Sequence, residues 1–127
     1  MVTAAAYVAA TGSLPWIWGQ NDCAMWAAGY VAQVTGVDPA SSLRGTYSTA
    51  FACRRVQMRA GGLLTLSRSL MSQFPRGTGD GVAVARVNGQ TIAGIIADHR
   101  LWLKARAGVT SPARFEILDR WSVCPKH

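Results

Sequence analysis

The one side chain in this sequence placed where a nucleophile could be is Cys23. It follows Asp22 in "PWIWGQNDCAMWAAGYVAQVTG" (Pro15 to Gly36), where a Trp-Gly turn gives way to a helical pattern. A thiol at a helix N-terminus meets unpaired backbone N–H groups and the positive end of the helix dipole. Both favour the thiolate, and the same N–H groups could hold an oxyanion. Against this, Cys23 falls on an apolar stripe, where a buried cysteine acts as a small hydrophobe. A nucleophilic thiol also needs a histidine within hydrogen-bond reach, itself held by a third polar group. The chain has two. His127, the final residue, is not expected to be held in place. His99, after Asp98 at a predicted turn, is the candidate base, with Asp98 or another polar group to orient it. The six carboxylates are scattered, and Asp22 and Asp38 read as a helix cap and the turn before Pro39.

Other chemistries lack their residues. Cys23, Cys53 and Cys124 lie far apart without a CxxC spacing, so neither a zinc site nor a disulfide framework is expected, and no cofactor. Such cysteine usage suits a reducing cytoplasm. "GTGDG" (Gly77 to Gly81) lacks the Lys-Ser/Thr of a phosphate loop and reads as a flexible entry into a strand. No apolar run reaches the length of a membrane span, and the N-terminus lacks the basic region of a secretory signal. The net charge of +7 could face nucleic acid, an anionic wall polymer or an acidic protein. Only the charge speaks for nucleic acid. Arg54, Arg55 and Arg59 form the densest basic cluster, without the interleaved aromatics of a nucleic-acid motif. Arginine and tryptophan are also the residues of protein–protein hot spots, and Arg54, Arg55 and Trp102 are the contact candidates.

The elements that must position Cys23 follow from periodicity. Half of the 127 residues are apolar, enough for one domain, residues 1–127, with a genuine core. A short N-terminal helix is expected. Cys23, Trp26, Ala27, Tyr30, Val31 and Val34 form one helical stripe, capped by Asn21 or Asp22 and closed by Gly36. Further helices are predicted from about Tyr47 to Ala60 and from Leu64 to Phe74, stopped by Gly61-Gly62 and Pro75. Beyond Pro75 the texture turns β. "VAVARV" (Val82 to Val87), the hairpin signal Asn88-Gly89 and "QTIAGIIA" come first. A turn at Asp98-His99, "RLWLKA" and one or two extended pieces within Arg114–Val123 follow. Helices first and an antiparallel sheet second is an α+β order.

Several short pieces, in this order, carry a resemblance. They are Trp18-Gly19, Asp22-Cys23, "TGVDP" (Thr35 to Pro39), "RGTY" (Arg44 to Tyr47), "GGL" (Gly61 to Leu63), Gly79-Asp80 and "AGI" (Ala93 to Ile95). The chain resembles a family of small proteins of tailed phages, prophages and gene transfer agents related to the NlpC-type, papain-like cell-wall peptidases. The resemblance implies a papain-like fold with Cys23 at the nucleophile position. It places the catalytic histidine at Ile92, which cannot take a proton, and Gly81 is an extra glycine after the Gly-Asp. The function so implied is a structural component of a phage tail tip or baseplate, with a degenerate peptidase fold. It would bind hub or baseplate proteins, be made in the host cytoplasm and reside in the virion. The alternative is a cysteine peptidase or amidase that trims peptidoglycan during DNA entry, with His99 as substitute base.

Overall fold

The computed structural model describes residues 2–123; Cys124 and His127 lie outside them. Four helices precede a five-stranded antiparallel sheet, which is the α+β order the sequence predicts. The helices are α1 (Ala4–Thr11), α2 (Cys23–Thr35), α3 (Ala50–Arg59) and α4 (Leu63–Leu70). The strands are β1 (Gly81–Val87), β2 (Gln90–Ala97), β3 (Arg100–Ala105), β4 (Gly108–Thr110) and β5 (Glu116–Ser122), in the order β4-β3-β2-β1-β5.

Helix α2 is the centre of the molecule, and its ends form for the reasons its sequence gives. The Asp22 carboxylate accepts from the Met25 N–H, a side-chain cap, and Gly36 closes the helix at φ +80°, where a side chain would be strained. Trp26, Ala27, Tyr30 and Val31 pack with Val82, Val84, Ile95 and Trp121 of the sheet. Met25 and Ala28, off the predicted stripe, face a second cluster with Ala40, Tyr47 and Cys53. Burial on two sides makes α2 the best anchored helix, at about 1.5–3 kcal/mol for each large side chain removed from water. Helix α1 docks on it through Tyr7, whose hydroxyl donates to the Trp26 carbonyl at 2.8 Å, while Trp26 Nε1 donates to Thr11 Oγ1 at 2.8 Å.

In the sheet, Asn88-Gly89 forms the predicted two-residue turn, with φ +51° and +78°. The second turn is Asp98-His99, at φ +53° and +65°, left-handed at both positions without a glycine. The strands read as nearly continuous apolar runs because both faces are covered. One meets the helices; on the other, Ala83, Ala85, Ile96, Leu101 and Leu103 pack together. A Cβ on Gly94 would lie 2.6 Å from the Trp102 carbonyl oxygen and 2.8 Å from Leu103 Cδ2, so this glycine is required by the close packing of β2 and β3.

Two helix boundaries and one strand differ from the sequence reading. Helix α3 begins at Ala50 instead of Tyr47, because Thr49 Oγ1 caps it by accepting from the Ala52 N–H. Helix α4 ends at Leu70, four residues short of Phe74, and the chain turns before reaching Pro75. Strand β4 was not foreseen. At three residues it is too short to show alternation, and its place is set by pairing with Leu103–Ala105.

Candidate functional site

Three of the singled-out sequence pieces converge at the N-terminus of α2. Gly19, at φ +80°, directs its N–H to Asp22 Oδ2 at 2.9 Å, and a Cβ there would collide with the Tyr47 carbonyl. The Tyr47 hydroxyl donates to the same carboxylate oxygen at 2.7 Å. Burial first, then this bond to Asp22, push the Tyr47 phenol well above its ordinary range. Next to this network, Arg44 Nε pairs with Asp38 at 2.7 Å while Nη1 holds the Gln20 carbonyl at 2.9 Å. Gly45 N–H donates to the Gly19 carbonyl at 2.8 Å. Asp22 is thus buried and bound by three donors. Its work is structural, as the cap reading expects, but it reaches much further than a cap.

Cys23, next in the chain, stands in the first turn of α2, half-buried, its Sγ donating to the Lys104 carbonyl at 3.4 Å. Of the two influences weighed for Cys23, the helix terminus and burial on the apolar stripe, burial is the stronger. Burial first, then the adjacent Asp22 charge, push the thiol up to about 12, outweighing its backbone N–H contact. The helix's positive end is already matched by the Asp22 carboxylate.

Nor does His99 reach the thiol. It is exposed in the β2–β3 turn, while Cys23 touches Lys104 at the other end of β3. Five residues of strand at about 3.3 Å each separate the two by roughly 16 Å. His99 is a turn residue, and Asp98 presents its N–H to Asp80 Oδ1 at 3.2 Å. Ile92, by contrast, does share a cleft with Cys23. This cleft of about 510 Å³ is lined by Trp16, Trp18, Cys23, Arg54, Gln57 and Ile92, among others. Ile92 borders this cleft from β2, but its side chain packs with the far-face cluster of Ala83, Ala85, Ile96, Leu101 and Leu103. Its neighbours Thr91 and Ala93, which also line the cleft, alternate onto the helix face, and neither is a base.

Lys104 is the residue that sequence reasoning missed. Its side chain is buried, and Nζ donates to the carbonyls of Ala105 at 2.8 Å and Gly108 at 3.4 Å. Burial lowers its pKa, opposed by Cys23. The Lys104 Nζ protons are directed at backbone carbonyls and not at the thiol. Nothing in "RLWLKA" signals this burial. Among the described residues no group of three or more His, Cys, Asp or Glu side chains could hold a metal, and Cys23 and Cys53 are free thiols. No helix there is long and apolar enough to cross a membrane.

Gly79-Asp80 and Gly81 do local work. The Gly79 N–H donates to Ser122 Oγ at 3.1 Å, and a Cβ on Gly81 would collide with the Trp121 carbonyl oxygen. The glycine run lets β1 start close against β5.

Fold and cleft together define a class: an α+β domain with a cysteine at the head of its central helix, opening on a cleft beside an antiparallel sheet. The family model described as a domain of unknown function, DUF6950, matches residues 2–123. The chain belongs to that family. No curated protein and no solved structure matches it.

Proposed function

We propose that this chain is a structural subunit of a tailed-phage tail tip or baseplate, in which a papain-like, NlpC-type fold is kept for assembly and not for hydrolysis. One observation carries the non-catalytic half of this reading. Among the described residues no histidine lines the cleft at Cys23, to which β2 contributes Gln90, Thr91, Ile92 and Ala93, and burial favours the protonated thiol. A thiol near pKa 12 is ionised to roughly one part in 100,000 at pH 7. The roughly 16 Å along β3 between the thiol's contact and His99 speaks against the peptidase alternative. The tail setting rests on the sequence resemblance, supported by a basic, arginine-rich surface suited to contacts with hub or baseplate proteins.

The test has two readouts. Purified protein is incubated with peptidoglycan and released stem peptides are measured; none are expected. Particles from the genome that encodes the chain are purified with native protein and with Cys23→Ala, and the subunit is quantified in both. Equal incorporation and equal infectivity are expected, since the substitution removes a thiol and costs the fold about 1–2 kcal/mol. Turnover that disappears in Cys23→Ala, or full incorporation without infection, overturns the structural reading.

A further inference from the structure

The outward face of α3, of which Arg54 alone is also at the rim of the Cys23 cleft, carries two apolar side chains that neither the fold nor the cleft uses. Helix α3 buries only Cys53, and its two largest apolar side chains point outward, Phe51 at 68% and Met58 at 73% exposure. At about 100° per residue, Phe51 and Met58 fall side by side at the middle of the exposed face. Arg54 flanks them on one side, Arg55 and Arg59 on the other, all three exposed. The Arg55 guanidinium lies 5.8 Å above the Phe51 ring, which already orders it over the apolar centre. An apolar centre rimmed by arginines is the anatomy of a protein-binding hot spot.

The charge on this face has no ion-pair partner among the described residues. Of the six carboxylates, Asp22 is buried, Asp38 pairs with Arg44, Asp119 with Arg68 and Arg76, and Glu116 with Arg86. Asp98 presents its N–H to Asp80 in the β2–β3 turn region. None forms an ion pair with Arg54, Arg55 or Arg59 among the described residues, and α3 has no acid in its own first turn. We infer that the outward face of α3 docks an acidic surface of another protein, one with an apolar recess between its carboxylates to take Phe51 and Met58. A nucleic-acid backbone would leave two exposed apolar side chains facing phosphates. A membrane would gain burial from only two residues, too few for stable insertion. The partner class deepens the assembly reading and rests on it for the setting alone.

The test is photo-cross-linking in cells of the host that carries the encoding genome, with p-benzoylphenylalanine at Phe51, at Met58 and, as a control on a distant surface, at Arg86. The adducts are mapped by mass spectrometry. Cross-links from positions 51 and 58 to a segment of another protein rich in Asp and Glu, absent from position 86, are expected. They should fall at least tenfold in the double variant Arg54→Glu, Arg55→Glu and in the separate variant Arg59→Glu. All of these sites are exposed, and an unchanged thermal midpoint verifies that each variant folds. Adducts to nucleic acid, lipid or a second copy of this chain overturn the inference, as do adducts insensitive to charge reversal or absent from 51 and 58. Absence of the subunit from purified particles overturns the tail reading alone, because cross-linking in cells reads the surface whatever assembly holds it.

Discussion

Helices α2 and α3 are of similar length and opposite use. In α2, six of thirteen residues are buried, and its cap is a carboxylate that also binds Gly19 and Tyr47. In α3, one of ten is buried, and its cap is a threonine serving a single N–H. The first is fixed from both sides and cannot change without the fold. The second is tied to the body on one side and leaves its apolar centre in solvent. An enzyme would be expected to place its investment at the thiol. Here the ordered polar network sits one residue earlier, at Asp22, and it serves folding.

The sharpest test of this contrast is the reactivity of Cys23. With the thiol pushed up to about 12, its thiolate fraction at pH 8 is roughly a thousandfold below that of an ordinary cysteine near 8.5. A high-pKa thiolate is intrinsically more nucleophilic, which offsets part of this. Alkylation by iodoacetamide, followed by peptide mapping, should therefore be roughly ten- to a hundredfold slower in folded than in urea-unfolded protein. A rate equal to the unfolded one would return Cys23 to the nucleophile class. Next in size is the Asp22 network. Asp22→Ala removes the α2 cap and strands the buried Tyr47 hydroxyl and Gly19 N–H, for about 3–5 kcal/mol in urea unfolding. Thr49→Ala, the matching change on α3, should cost about 1 kcal/mol. Equal losses would erase the distinction between the helices.

A smaller effect concerns the tie that holds α4, the neighbour of α3, to the sheet. Asp119 on β5 pairs with Arg68 of α4 at 2.9 Å and with Arg76 at 2.9 Å. The Arg76 hydrogen bond, opposed by burial and helped by Arg68, holds this carboxyl below its usual range. A depressed folded pKa gives stability that is complete above the unfolded value, near 4, and lost as pH falls through the folded one. Asp119→Asn should cost about 1 kcal/mol or less at pH 7, since both arginines are largely exposed, and nothing at pH 2. Urea titrations at the two pH values read this difference. The least change is expected from Phe51→Ser and Met58→Ser, each within about 0.5 kcal/mol of the native stability. A larger loss would mean that these side chains support the fold.

What was legible in the sequence is what neighbouring residues determine together. Asp22, the stripe through Val31 and Gly36 fix α2 within a single stretch, and Asn88-Gly89 carries its turn in two residues. The Asp98-His99 turn could be read for the same reason, and its left-handed geometry explains why His99 is spent on the backbone. The candidate site was less legible because its contacts are remote in sequence. Tyr47 reads as the start of a helix until its hydroxyl is seen on Asp22, and Lys104 reads as a strand cation until its ammonium is found buried. The balance at the thiol could not be read from its position alone, because burial by remote residues raises its pKa most and the neighbouring Asp22 charge adds to that.

The strand order has a consequence for how the chain is kept soluble. Strands β1 to β4 pair with their sequence neighbours, but the far side of β1 is covered only by β5, which arrives some thirty residues after β1 ends. Until residues 116–122 are in place, β1 presents an apolar run with free backbone donors and acceptors, a template for adding a strand from another molecule. Trp121 and the Asp119 tie therefore do more than fill a core: they seal the molecule against its own copies. A chain truncated before Glu116 should accumulate in inclusion bodies even though every residue of the Cys23 cleft is still present.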